Sequence, residues 1–294
     1  MRISTAQYYR VNAEQMQNRQ NEVAEMQAKL GSGKQILSPS DNPSKSDLIN
    51  RLESAKERQA VYGKNLDAVE TRLTSEETVL TSMTKIMQRV TELTVQAGND
   101  TLSAPDRMVI AAEVKSLRDE LLNLTNTRDL NGNYLFSGNK FSSSAFVENS
   151  SGTVSYNGDY GRFEVNVSDV RKMTINTLGP ELFSTADFTA LDDLVTKLNA
   201  DNGAGVRAAL ATVNGINDKL TVSYGTMAGR IAEIESQRSV VEDTTFRLDE
   251  LLMREEDLDY ATAVTELTQE SVALQALQAS FAKMSQLTLF NYIR

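Results

Sequence analysis

The feature that most constrains this fold is an apolar repeat running without a break from residue 48 to residue 97. Positions spaced alternately by four and three residues are apolar at twelve of fifteen places. Ordinary globular helices stop well short of this length, so the repeat predicts one very long packed helix, about 75 Å from end to end. Pro43 suits its start, and Gly98 suits its end.

A second repeat of the same kind spans residues 206 to 252 and is apolar at eleven of fourteen places. Two long helices of similar length bury their stripes most simply against each other, so we predict an antiparallel rod. The predicted rod core consists of Leu48, Leu52, Tyr62, Leu66, Val69, Leu73, Leu80, Met83, Val90, Leu210, Leu220, Met227, Ile231, Ile234, Leu248 and Leu252.

The segment between the two repeats changes its period. A third helix is predicted to open at Ser103, which can cap it, with Pro105 in its first turn. From residue 131 onward, turn residues and short alternating runs predict strands joined by hairpins, with Asn157-Gly158 as one of the turns. A short helix is predicted over residues 187–200.

The pattern of apolar residues at each end of the chain predicts an amphipathic helix. These residues recur at helical spacing, and a thin helix pair has no core large enough to cover both stripes. We therefore predict that the two helices pair and that neighbouring molecules cover what remains exposed. The predicted assembly interface consists of Tyr9, Met16, Val23, Leu30, Leu267, Leu274, Leu277, Phe281, Met284 and Leu287.

Composition excludes several functional classes. The chain has no His, Cys or Trp, so zinc-finger, thiol and histidine chemistry are ruled out. A net charge of −10 disfavours nucleic acid, and no apolar run is long enough to span a membrane. No nucleophile, base and orienting group assemble, so we predict neither an enzyme nor a cofactor or metal site. The first residues lack an apolar signal-peptide core, so we expect no cleaved signal.

Two motifs invite a functional interpretation that their context does not support. Gly31-Ser32-Gly33-Lys34 resembles part of a phosphate-binding loop, but it follows a predicted helix and lacks the rest of the motif. We interpret its glycines as the end of that helix. An acidic cluster near residues 249–259 lacks the spacing of a calcium loop, and a solvated helix face is the simpler interpretation.

The predicted fold is therefore mainly α: an elongated antiparallel rod or coiled-coil bundle of long helices, with a small inserted β-rich (α+β) domain and paired terminal helices. We divide the chain into five segments. They are an N-terminal helix and connector at 1–42, rod helices at 43–130, the insert at 131–204, the C-terminal rod helix at 205–258 and the C-terminal helix at 259–294.

Several blocks of residues resemble the bacterial flagellin superfamily. The chain begins MRIST, and LGSGKQILSPSDNP at residues 30–43 is similar to the connector that links terminal helix to rod in that superfamily. Further blocks resemble the hook-associated protein 3 family within it. They are VQAGNDTLS at 95–103, RDELLNLTNT at 118–127, NGNYLFSG at 131–138 and FAKMSQLTLFNYIR at 281–294.

This resemblance implies a structural protein that leaves the cell through the flagellar type III pathway. It implies a thin, ring-like layer at the hook-filament junction, with hook-associated protein 1, flagellin, further copies of the chain and an export chaperone as partners. The terminal helices would line an inner tube, the rod would form an outer tube, and the insert would face solvent.

Two other functions remain open at the level of sequence. The first is flagellin itself, the bulk subunit of the filament. The second is an exported rod whose insert carries an adhesin or an enzyme, although the insert has no catalytic constellation.

Overall fold

The computed structural model describes the backbone of residues 2–290 and the side chains of residues 7–283. Within that range the fold is mainly α with a small β part, as the sequence predicts. The helices are α1 Arg2–Ser32, α2 Pro43–Ala97, α3 Ala104–Thr125, α4 Gly179–Leu182, α5 Thr185–Asn199, α6 Gly203–Glu256 and α7 Tyr260–Phe290. The strands are β1 Phe146–Glu148, β2 Val154–Tyr156, β3 Glu164–Asn166 and β4 Lys172–Thr174.

The helix ends follow the predicted signals. Helix α2 begins at Pro43 and ends one residue before Gly98. Helix α3 has Ser103 as its N-cap, because the hydroxyl of that residue accepts the backbone N–H of Asp106 at 3.4 Å. The predicted helix over 187–200 is α5, which starts slightly earlier because Ser184 caps it.

The chain divides into two compact units. Residues up to Arg58, together with those from Asp243 onward, form the first unit, and Gln59–Glu242 forms the second. The first unit contains α1, the beginning of α2, the end of α6, and α7. Within it, α1 packs against α7, and Lys56 of α2 pairs with Asp249 of α6 at 2.5 Å.

In the second unit, α2 and α6 run antiparallel. Arg238 of α6 donates to Asp67 of α2 at 2.8 Å, whereas Tyr224, earlier in α6, donates to Glu77, later in α2, at 3.2 Å. Leucine, valine and methionine side chains of the two helices are buried in one continuous cluster. The antiparallel pairing predicted for the two long repeats is confirmed in this unit.

The β part consists of two separate antiparallel hairpins. Strand β1 pairs with β2, and β3 pairs with β4. The prediction of a hairpin turn at Asn157-Gly158 is wrong, and β1 was not predicted. The turn lies at residues 149–153, where the side-chain oxygen of Asn149 accepts the N–H of Thr153 at 2.9 Å, and Gly152 has a φ of +81°.

The insert does not have a hydrophobic core of its own. Phe136, Phe146 and Phe188 are fully buried in the same cluster as Leu66 of α2 and Leu220 of α6. The five-segment division of the chain stays a prediction, but packing in this unit runs continuously across its internal boundaries.

Candidate assembly surface

Helices α1 and α7 meet along a seam with coiled-coil spacing. On both helices, the residues that are not fully exposed recur every three or four positions, which is the pattern of facing helices. On α1 they include Tyr9, Asn12, Met16, Arg19, Val23, Met26 and Leu30, and on α7 Ala263, Leu267, Glu270, Leu274, Leu277 and Phe281.

An aromatic pair marks one end of the described seam. The rings of Tyr9 and Phe281 lie edge to face, with centroids 5.4 Å apart and planes at 87°. This geometry is favourable for aromatic side chains beyond the area they bury. Ala263 lies towards the other end of the seam and is only 3% exposed.

One ion pair interrupts the apolar seam near its middle. Nη1 of Arg19 on α1 donates to Oε2 of Glu270 on α7 at 2.5 Å, and to Glu22 on its own helix at 3.1 Å. Hydrogen bonding to Glu270 raises the pKa of Arg19. A polar pair at seam positions specifies register, because sliding the helices by one turn would separate the charges.

The structure places the described members of the predicted interface on this seam, where they are half-buried against the opposite helix. The side chains of Met284 and Leu287 lie outside those that the structure describes. The outward apolar surface of the pair is instead carried by residues beside the stripe, which the sequence analysis missed: Tyr8, Val11, Val264 and Val272. Val272 is 59% exposed, and Val264 is 52% exposed.

A signal for these outward residues was present in the sequence. Valine is unusual on a solvated helix face, where polar side chains and strong helix formers are more common. The heptad pattern alone does not include these residues, because they lie outside its stripe.

The segment between α1 and α2 is attached to the segment between α6 and α7. The N–H of Gln35 donates to the carbonyl of Glu256 at 2.8 Å, and the N–H of Leu258 donates to that of Gly33 at 2.9 Å. Lys34 also pairs with Glu256, which raises the pKa of the lysine. These bonds lie where α1 ends and just before α7 begins.

Asp41 organises the rest of this connector. Its carboxylate accepts the backbone N–H of Leu37 at 3.1 Å, and both the N–H and the hydroxyl of Ser38, at 2.9 and 2.7 Å. The Ser38 hydroxyl is the main cause of a lowered pKa at Asp41. Asp41 therefore closes a turn just before α2.

Comparison with known proteins shows relatives of flagellar origin. The model of the bacterial flagellin N-terminal helical region matches residues 3–141. Flagellar hook-associated protein 3 of Escherichia coli is 28% identical over 99% of both chains, and that of Salmonella typhimurium is 27% identical over 100% of both. The chain is therefore similar to proteins of the bacterial flagellin superfamily. Within it, the resemblance to hook-associated protein 3 that the sequence blocks indicate is confirmed.

Solved structures show the same fold. FlgL of Xanthomonas campestris superposes with a TM-score of 0.62 at 20% identity, covering 70% of this chain and 99% of that one. Flagellar hook-associated protein 3 of Legionella pneumophila gives 0.64 at 17% identity, covering 71% and 98%. The full-length flagellar relatives identify this chain as a structural component of the bacterial flagellum and not an enzyme.

The predicted rod core separates into three groups of exposure. Ten of its residues are buried: Leu66, Val69, Leu73, Leu80, Met83, Val90, Leu220, Met227, Ile234 and Leu252. Five are half-buried: Leu52, Tyr62, Leu210, Ile231 and Leu248. The prediction for Leu48 is wrong, since it is 42% exposed and its neighbour Ile49 is buried instead. A strict seven-residue count drifts around a helix with 3.6 residues per turn, so it misplaces this outermost position.

The acidic residues near the start of α7 have structural partners. Glu255 pairs with Lys45 at 3.5 Å, and Glu250 with Arg254 at the same distance. Asp259 accepts the hydroxyl of Thr262 at 2.7 Å, which lowers its pKa. Among the residues that the structure describes, no group of acidic side chains could hold a metal ion, and no helix is long and apolar enough to cross a membrane.

Proposed function

We propose that this chain joins the flagellar hook to the filament, as a thin layer between hook-associated protein 1 and the first flagellin subunits. The observation that carries this proposal is the extent of the match. Both hook-associated protein 3 relatives align over 99% to 100% of this chain and of their own, whereas flagellin of Bacillus subtilis, at 26% identity, aligns over 88% of each.

The terminal helix pair supplies a surface for such a layer. Apart from the buried Ala263, its seam residues are only half-buried, and Tyr8, Val11, Val264 and Val272 point away from the pair. Exposed apolar residues on a two-helix pair lower the free energy of assembly when a neighbour covers them. In the proposed layer, the faces of α1 and α7 outside their mutual seam contact further copies of the chain.

The remaining partners follow from the same role. The layer presents one side to hook-associated protein 1 and the other to flagellin. Before assembly, the chain binds an export chaperone and leaves the cell by the flagellar type III route without a cleaved signal peptide. Its location is then the hook-filament junction.

Deletion of the gene tests the junction role. We expect electron micrographs to show hooks without filaments, and a separate flagellin to accumulate in the medium as monomer. Attached, normal filaments in the deletion strain would refute the proposal. If this chain were instead the most abundant protein of purified filaments, it would be a flagellin.

Complementation with two variants tests the surface. Val272→Asp places a charge on the outward face of α7 without touching the seam, and we expect it to prevent incorporation at the junction. Ser150→Asp adds the same charge at an exposed polar position in the turn between β1 and β2, outside α1 and α7, so it controls for charge alone. Equal filament yields from the two variants would show that the valine face is not a subunit contact.

Phe281→Asp addresses the seam itself. An aspartate facing Tyr9 would weaken the helix pair, and we expect incorporation to fail while the second unit keeps its helical signal. Normal junctions assembled from this variant would contradict a role for the seam.

A further inference from the structure

A fully buried glutamate lies near the middle of the apolar repeat of α2, which spans residues 48–97. Most positions of this repeat are apolar. Glu76 has no exposed surface, and Leu73 and Leu80, the adjacent stripe positions, are buried leucines. A buried carboxylate loses the hydration that stabilises its charge, and this cost is large unless neighbouring groups replace it. Glu76 plays no part in the assembly surface described above, because it lies inside the second unit.

Three elements surround the carboxyl group of Glu76. From α2, Nε of Arg72 lies 3.3 Å from Oε1. Arg230 of α6 and Thr177, in the segment between β4 and α4, lie close enough to stabilise its charged form. The next charges outward are Arg162 and Glu181, which pair with each other.

The same groups attach the insert to the long helices. Arg72 also donates to the carbonyl of Leu135 at 2.8 Å, and its guanidinium lies 5.9 Å from the ring centroid of Phe163. Arg230 donates to the carbonyl of Asn176 at 3.4 Å. Glu76 therefore lies where α2, α6 and the insert converge.

Burial raises the pKa of Glu76 to about 7, and the two arginines and Thr177 only partly offset this effect. In the unfolded chain, the carboxyl ionises near its ordinary value of 4.5. Between these two values the folded state holds a proton that the unfolded state has lost, so stability falls as pH rises through the window. Above about pH 7, the folded chain carries the buried charge.

We propose that Glu76 makes the attachment of the insert to the long helices depend on pH. In its neutral form, the carboxylic acid packs without a buried charge where the segment containing Thr177 meets α2. Ionisation above neutral pH introduces a buried charge. Opening of the segment that covers Glu76 brings water back to the carboxylate, so this opening becomes more frequent as pH rises.

Glu76→Gln is the direct test, because the amide keeps the shape and stays neutral. The control is Glu77→Gln, which removes a half-exposed carboxylate one residue away, outside the buried group. We expect the ratio of unfolding equilibrium constants, wild type over Glu76→Gln, to rise on the order of a hundredfold from pH 5 to pH 8.5 in urea denaturation. The corresponding ratio for Glu77→Gln should stay nearly constant. A constant ratio for Glu76→Gln as well would overturn the proposal.

Amide hydrogen exchange locates the effect. Comparing wild type with Glu76→Gln at each pH cancels the intrinsic dependence of exchange on pH. Residues 175–178 should lose protection in the wild type at pH 8.5 and keep it in the variant. If the two proteins exchange alike over this segment at pH 8.5, Glu76 does not control the attachment.

A carboxyl titration of the wild-type protein by NMR needs no variant, so it decides the matter even if Glu76→Gln fails to fold. A buried glutamate titrating near pH 7 supports the proposal. A midpoint near 4.5 for Glu76 refutes it.

Discussion

Leu73 offers a quantitative test of the packing in the second unit. Its side chain has no exposed surface and belongs to the continuous buried cluster. Leu73→Ala removes three carbons, worth about 2.4 kcal/mol at about 0.8 kcal/mol per buried group, and leaves a cavity that adds to this loss. Alanine's higher helix propensity returns only a few tenths of a kcal/mol. We expect a loss of about 3 kcal/mol, within the 2 to 5 kcal/mol range typical of buried leucines.

Urea denaturation followed by circular dichroism measures this loss. With a slope of about 2 kcal/mol per molar, the midpoint should fall by more than about 1 M urea. Leu130→Ala is the matched control, because this leucine of the same unit is 90% exposed and should change stability by less than about 0.5 kcal/mol. Similar midpoints for the two variants would refute the burial of the α2 stripe.

Two further predictions concern the connectors of the first unit. Gly33→Ala should cost about 1 to 3 kcal/mol, because Gly33 has a φ of +72° and an added methyl would lie 2.8 Å from a tyrosine hydroxyl of α7. Gly31→Ala, with open space around it, should be neutral or stabilising, and thermal melts compare the two. Ser38→Ala should raise the pKa of Asp41, because it removes the main cause of the lowering. Since the ionised form of Asp41 is the bonded one, its contribution is lost as pH falls through the lowered pKa, and an unchanged NMR titration midpoint would contradict this role.

The long helices could be predicted because their signals are local and repeated many times. Pro43, Gly98 and Ser103 each mark a helix end through their own backbone or hydroxyl chemistry, and the structure uses all three as predicted. The stripe itself follows from period alone. Leu48 shows the limit of that reasoning, since a count that is accurate over the middle of α2 fails at its outermost position.

The insert was harder to predict because several contacts that fix its structure join residues far apart in the sequence. Strand β1 has only three residues, and it is fixed by β2 and by Asn126, whose side-chain oxygen accepts the N–H of Phe146 at 2.9 Å. Arg118 of α3 also reaches the insert, donating to Asp192 of α5 at 3.1 Å. Asn126 and Phe146 are 20 residues apart, and Arg118 and Asp192 are 74 residues apart, so no short window of sequence contains both members of either pair.

The assembly surface could be predicted only in part. The stripes of α1 and α7 were evident, but their main role within one chain is to face each other, as Tyr9 and Phe281 do. Which apolar residues remain outside the pair depends on how the helices rotate about their axes, and the Arg19–Glu270 pair contributes to that register. This information is absent from either helix alone.

The most direct test of the junction role is the position of the chain on a native flagellum. Val170 is 96% exposed in the turn between β3 and β4, so a short epitope inserted there should be accessible to a gold-labelled antibody without disturbing the buried cluster. We predict a single band of gold where the hook meets the filament. Gold distributed along the whole filament, or its absence from the junction in cells that make normal flagella, would contradict the proposed role.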